Sequence, residues 1–318
     1  MNKKFGLSHA TLMASIGIIL VLISVYVPIL GIAALFIPVP FAIIGTLCSK
    51  KYAFLTLIAT FFMIMFTVDP VYSVSVCMLN VIPGLTIGYL AKENLKDENA
   101  NKFQPIYGGI IISIICTIAF YLVSKLVFKA DLLSQFMDIL SSSFKQQLDL
   151  MQSMNIDAYK GINVEDFINL FRNMIPTILF LQGLITSFII YNSEVFILKR
   201  TRLLSLPKPT FRDFYLPGNA VSASLILYML VILLGFMKIG LYTDSIMFNL
   251  QMVFDFMFIV QGVAVSICYI IKWIKQGTAQ NILISGLILG ILGSTGITFL
   301  GMLDSVLDFR KVRSYKST

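Results

Sequence analysis

Long apolar runs broken by short polar or charged stretches set the pattern of this chain. Ala10 to Leu30, Tyr52 to Thr67, Val71 to Ala91, Pro105 to Phe128, Ile175 to Leu198, Asn219 to Phe236, Ile246 to Ile271 and Ile282 to Leu300 each read as a membrane-crossing helix. A helix needs roughly 20 mainly apolar residues to cross the hydrocarbon. Between the first two of these, Gly31 to Pro40 reads as a turn, and Phe41 to Cys48 as a short second span. Pro38 and Pro40 argue against a regular helix there. The apolar stretches are continuous and do not alternate, which argues against a membrane β-barrel.

From Asp131 to about Met174 the pattern changes. Met137, Leu140, Phe144, Leu148 and Met151 recur every three or four residues, which predicts an amphipathic helix. After a break at Asn155 to Gly161, Asn163 and Asp166 resemble a capping box opening a second short helix, whose apolar face is Phe167, Leu170, Phe171 and Met174. This insert reads as a cover over the outer mouth of a helix bundle. The expected architecture is all-α, a polytopic bundle of eight or nine spans in a single membrane domain, 1–318. Five spans fill 1–129, the insert 130–174, the remaining spans 175–302 and a basic tail 303–318. Nine spans from a cytoplasmic N-terminus would leave that tail outside, so one segment, the short second or the Gly-rich last, is expected not to cross fully.

Composition agrees. Of 318 residues, 58% are hydrophobic and 13% charged, against about 25% charged in soluble domains, and the mean hydropathy is +0.88. The net charge of +8 does not point to nucleic acid, because the cations sit at span ends, where they set topology and meet anionic headgroups. Lys3, Lys4, Lys50, Lys51, Lys272 and Lys275 mark cytoplasmic ends, and the loop Lys199 to Pro217, with five cations against Asp213, is the strongest such marker. Glu194 reads as an interfacial partner of Lys199 and Arg200. The uncleaved first helix and the spans that follow imply a multi-pass cell-membrane protein with its N-terminus in the cytoplasm.

Catalytic chemistry leaves few traces. There is no GxSxG, HExxH, phosphate-binding loop or dinucleotide fingerprint. The four cysteines and His9 lack metal-site spacing. The expectation is no enzyme, no metal and no cofactor. Polar residues inside the spans carry the remaining information, because charge in hydrocarbon costs about 2.5–3.5 kcal/mol on insertion scales. Asp255 comes first, with Gln182, Gln251, Asp69, Tyr72 and Asn80 as further candidate contacts to a small molecule. Small residues at helical spacing mark where helices dock: Ala10 and Ala14, Gly84 and Gly88 (on a face shared with Asn80), Gly286 and Gly290.

Residues 10 to 91 resemble the substrate-binding S components of energy-coupling factor (ECF) vitamin transporters. The likeness rests on Ala10-x-x-x-Ala14, the short proline-bearing segment ending before Lys50-Lys51, and the IPGLTIGYLAKE close of the fourth span. The whole chain, including GMLDSVLDFRK (Gly301 to Lys311), resembles the YybS-like family of bacterial membrane proteins, related to those S components. The resemblance implies a six-helix binding core for a small molecule, with Ala10 and Ala14 docking on a transmembrane coupling subunit driven by ATPases. The alternative is a scaffold or regulator that binds a cytoplasmic partner through the basic loop 199–217.

Overall fold

Large apolar side chains point outward along most of the long helices, and small or polar ones point inward. On α6 (Gln104–Leu126) the exposed stripe is Ile111, Ile115, Ile118 and Leu122, while Gly109, Ser113 and Cys116 are buried. Soluble proteins bury such isoleucines; lipid makes their exposure favourable. The computed structural model describes residues 6–96, 101–153, 163–216, 219–237, 243–274 and 278–312. Among them every regular element is helical, and seven helical segments are long and apolar enough to cross a membrane. Lys3, Lys4, Lys275, Pro217 and the break at Asn155 to Gly161 lie outside the described residues.

The chain divides into two compact units, 1–208 and 209–318. In the first, α1 (Leu7–Tyr26) is followed by a 3-10 helix at Pro28–Phe36 and by α2 (Pro38–Leu47). The expected turn at Gly31 to Pro40 is therefore helical, and Ile29–Leu47 is a full candidate span. Pro38 and Pro40 sit in the first turn of α2, where the backbone N–H groups have no intrahelical acceptor to lose. Next come α3 (Lys50–Thr67), α4 (Pro70–Val76), a π-helical turn at Cys77–Val81 and α5 (Ile82–Asn94). The π turn answers Pro83. Proline cannot donate to the carbonyl four residues back and crowds it; the widened turn takes up one residue, and the Ile82 N–H donates to the Cys77 carbonyl instead.

Glycines set the closest contacts. At Gly45, Gly84 and Gly88 an added Cβ would overlap backbone carbonyls, respectively those of Leu85, Pro38 and Ala42. So α2 and α5 touch backbone to backbone. Ala10 and Ala14 are 0% and 5% exposed and belong to a core with Val21, Phe41 and Ile64. That face of α1 is covered by the chain's own α2 and α3. An external coupling subunit has no access to it.

The insert forms α7 (Leu132–Ser153) and α8 (Val164–Asn173). Asn163 caps α8 by accepting from the Glu165 N–H at 2.9 Å, and Phe144 of α7 stacks on Phe167 with ring centroids 3.9 Å apart. At its start Asp131 accepts from the Ser134 N–H and pairs with Lys125 at 3.1 Å. Those two partners hold its carboxyl below the usual range. The unit closes with α9 (Ile175–Arg200).

In the second unit α10 (Ala220–Phe236) is 17 residues long, and α11 (Thr243–Ile274) packs on α12 (Thr278–Leu307). Their seam is made by Gly262 against the Ile297 carbonyl and Gly301 against Phe258. Gly286 and Gly290, expected as docking residues, have nothing within 4 Å of a built Cβ. At Gly293 (φ 65°, ψ 171°) α12 is broken into two helices; that backbone conformation is essentially restricted to glycine. A polar clamp ties residues 212–216 to both helices. Asp304 Oδ2 accepts from Gln261 Nε2 (2.9 Å) and from the Arg310 guanidinium (2.9 and 3.2 Å). Arg310 also donates to the carbonyls of Arg212 and Phe214, and the Leu216 N–H donates to Gln261 Oε1. Both charged side chains are 1% exposed. Arg310 is thus a structural clamp within what the sequence reads as a basic tail.

Three outcomes follow for thermal unfolding in detergent. Gly88→Ala should lower stability by about 1–3 kcal/mol through overpacking. Gly286→Ala should be neutral or gain about 0.5–1 kcal/mol, as for a glycine in an open helix. Arg310→Met should cost about 3–5 kcal/mol by leaving Asp304 buried without its cation, and Asp304→Asn in the same chain should recover part of the loss.

Candidate functional site

Polar groups inside the first unit gather in two places along α9. The first is a cavity of about 220 Å³ that α9 lines with Gln182 and Thr186, α6 with Ser113 and Thr117, and the π turn with Asn80; its apolar walls include Leu35 and Pro38. Asn80, Thr117 and Thr186 each lie near the middle of their helical spans. Helical periodicity assembles the site: Ser113 and Thr117, like Gln182 and Thr186, are spaced i, i+4 and so share a face. Gly109 and Gly183 let the two helices meet. A Cβ on Gly109 would lie 2.6 Å from Ser187 Oγ, and one on Gly183 3.2 Å from the Ile110 carbonyl. The Ser113 hydroxyl is buried with no partner. The cavity contains two amides, three hydroxyls and no charged group. Its volume corresponds to about seven waters at roughly 30 Å³ each, below the ~300–1,000 Å³ of drug-sized pockets.

The second place is the seam of α2, α5 and α9. Glu194 is 0% exposed. Its Oε1 accepts from Thr46 Oγ1, and its Oε2 is buried without a partner. Thr46 Oγ1 also lies within reach of the carbonyls of Gly88 (2.9 Å) and Ala42 (3.2 Å). One turn back along α9, Tyr191 donates its hydroxyl to the Pro207 carbonyl at 2.9 Å. The sequence places Glu194 near Lys199 and Arg200, but its helical phase turns it into the bundle, on the buried side with Ser187, Ile190 and Tyr191. It is no interfacial ion-pair residue.

A wider cleft of about 490 Å³ lies where α2 ends and α3 begins, lined by Lys50, Lys92, Glu93 and Lys96 among others. Its lysines are occupied: Lys50 stands over the Tyr89 ring at 4.5 Å, Lys92 donates to the Cys48 carbonyl at 3.1 Å, and Lys96 pairs with Glu93 at 2.7 Å.

Of the six candidate contacts from the sequence, Asn80 and Gln182 meet in the 220 Å³ cavity. Asp69 serves as the N-cap of α4, accepting from the Tyr72 N–H at 2.8 Å, and neither residue is among the cavity's lining. Gln251, exposed, and Asp255, half-buried, are on α11 in the second unit. Ser113, Thr117, Thr186, Thr46 and the burial of Glu194 escaped the sequence reading. The i, i+4 polar pairs were the available signal. Among the described residues no group of three metal-ligating side chains converges, and Cys48, Cys77, Cys116 and Cys268 are free thiols.

A family model described as "Predicted membrane protein (DUF2232)" matches residues 15–305. The Bacillus subtilis (strain 168) protein described as "Uncharacterized protein YybS" is 25% identical over 317 residues, covering 96% of this chain and 97% of that protein. No solved structure matches the chain.

Thr46→Val keeps the side-chain shape and removes the hydroxyl from Glu194. Thermal unfolding should show a loss of about 1–3 kcal/mol, the cost of an unsatisfied buried polar group, with Thr46→Ser recovering most of it.

Proposed function

We propose that this chain, which belongs to the DUF2232 family of predicted membrane proteins, is the substrate-binding component of a membrane transport system. The cavity between α6, α9 and the π turn takes a small, uncharged, polar molecule. One observation carries the reading: two amides and three hydroxyls line one cavity within the spans, where hydrocarbon-facing side chains have no use for them. Neutral donors and acceptors with no counter-charge suit hydroxyl, amide or heterocyclic nitrogen groups, and disfavour an ion. The likeness of residues 10 to 91 to ECF S components supports the same class.

The unit's basic end supports an orientation. Lys50, Lys92, Lys96, Lys199 and Arg200 lie at the α2–α5–α9 end of the helices, and cations favour the cytoplasm. Tyr26, which closes α1, donates to the Thr67 carbonyl closing α3, so α1 starts at the same end as Lys50. On this reading the N-terminus is cytoplasmic. With no nucleotide-binding motif in the sequence, energy would come from a coupling subunit and ATPases. That subunit would dock on a face other than Ala10 and Ala14, which are covered.

The test is thermal stability of the purified protein against a panel of small uncharged polar metabolites. A ligand at about 100 times its Kd stabilises the folded state by about 2.7 kcal/mol. For any hit, Asn80→Ala and Gln182→Ala should each weaken binding about tenfold, the loss of one good hydrogen bond. Asp255→Asn should leave it unchanged. A panel without a hit, or a hit indifferent to both amide substitutions, would sink the proposal. If a copy with Lys199, Arg200 and Arg202 reversed then failed to complement the deletion strain, the scaffold reading would replace it.

A further inference from the structure

Counting hydrogens at the α2–α5–α9 seam leads past the cavity. Thr46 has one hydroxyl hydrogen, and three acceptors stand around its Oγ1: Glu194 Oε1 and the carbonyls of Gly88 and Ala42. Were Glu194 ionised, its Oε1 would compete with the two carbonyls for that single hydrogen. The second carboxylate oxygen would be buried with no partner, inside a membrane span. Charge at such a place is normally balanced by an opposite charge.

Among the described residues no such charge pairs with it, and Arg202 and Lys208 of the loop after α9 are exposed. The described α2 and the 3-10 helix before it carry no titratable side chain. On α5, Lys92 donates to the Cys48 carbonyl, Glu93 pairs with Lys96, and Tyr89 lies under Lys50. On α6 the titratable group at this end is Tyr107, stacked on Phe103. The charged residues of α8 abut the opposite end of α9. On α9 itself Tyr191 donates to Pro207, and Lys199 and Arg200 lie five and six residues further on, about 7–9 Å along the axis. No ion pair joins either of them to Glu194 among the described residues.

A second hydrogen removes the charge and leaves Oε2 as a neutral carbonyl oxygen, far cheaper to bury without a partner than a carboxylate. Neutral Glu194 donates its own O–H to Thr46 Oγ1, and Thr46 donates onward to the Gly88 or Ala42 carbonyl. We propose that Glu194 is a proton-binding site within the membrane domain. It is held as the neutral acid by a Glu194–Thr46–Gly88 relay, and it gives up its proton when α9 separates from α2 and α5. The ligand is a proton and not an alkali cation, because Glu194 Oε1 and Thr46 Oγ1 stand in direct hydrogen-bond contact, which a shared hydrogen explains. This site stands whether or not the cavity binds a solute.

The sign of the pH dependence follows from proton counts. The folded chain holds one proton that the unfolded chain has released above the ordinary carboxylate range. Stability is therefore full below that range and falls as pH rises, by tenfold in the folding equilibrium per pH unit. Infrared spectra of the protein in lipid vesicles at about pH 7 should show a protonated carboxylic C=O band that shifts in D2O and is missing from Glu194→Gln. The wild-type Tm should fall between about pH 5 and pH 8, while that of Glu194→Gln stays flat. A wild type without a protonated-carboxyl band overturns the proposal with no variant needed. So does a band kept in Glu194→Gln, or a Tm that follows sodium and not pH. Should Glu194→Gln fail to fold, Thr46→Val must shift the band's frequency by removing its hydrogen-bond partner; an unmoved band overturns the assignment.

Discussion

Everything polar in the first unit depends on how closely two backbones can approach. Helices in lipid gain little from burying apolar side chains against one another, since the lipid is equally apolar. They gain from close packing and from hydrogen bonds across the contact. Gly45, Gly84 and Gly88 bring α2 and α5 together to the limit set by their carbonyls. Only at that separation can Thr46 reach both the Gly88 carbonyl and Glu194. Gly109 and Gly183 do the same for α6 and α9, whose facing residues then line the small cavity. Side chains supply the chemistry here, but missing side chains set its geometry.

Both polar centres are built on α9. Gln182 and Thr186 line the cavity, and Glu194 stands two to three turns further along the same rod. A rigid helix that carries both cannot shift at one end while the other stays in place. A change of charge at Glu194 is thus also a force on the wall of the cavity, through α9 itself. No chain of intermediaries is required.

The apolar spans were legible because length and hydropathy alone define them. What failed to read were the places where a local rule has two outcomes. Pro38 and Pro40 look like helix breakers until the start of α2 is fixed at Pro38, where proline is harmless. Asn80 and Gln182 stood out as amides in apolar runs, but Ser113, Thr117 and Thr186 did not, because hydroxyls in membrane helices commonly bond to their own backbone; Thr117 does so with the Ser113 carbonyl. Glu194 was read through its neighbours in sequence, Lys199 and Arg200. Its helical phase, shared with buried Ser187 and Tyr191, was the better guide. Gly286 and Gly290 form a docking motif by spacing, while the glycines that dock, Gly262 and Gly301, lie on different helices and form no motif. Pairing across helices is a three-dimensional fact that one sequence does not contain.

The Asp304–Arg310 clamp has a consequence in time. Arg310 is separated from Arg212, whose carbonyl it binds, by 98 residues of chain. A ribosome adding about 5–20 residues per second needs roughly 5–20 s to cover that interval. During it, the segment around Arg212 and Phe214 has emerged but its guanidinium partner does not yet exist. Water must serve those carbonyls, and α10 and α11 must enter the bilayer with their connecting loop unfastened. The second unit is therefore assembled in lipid first and locked afterwards, by a residue made nearly a hundred positions later.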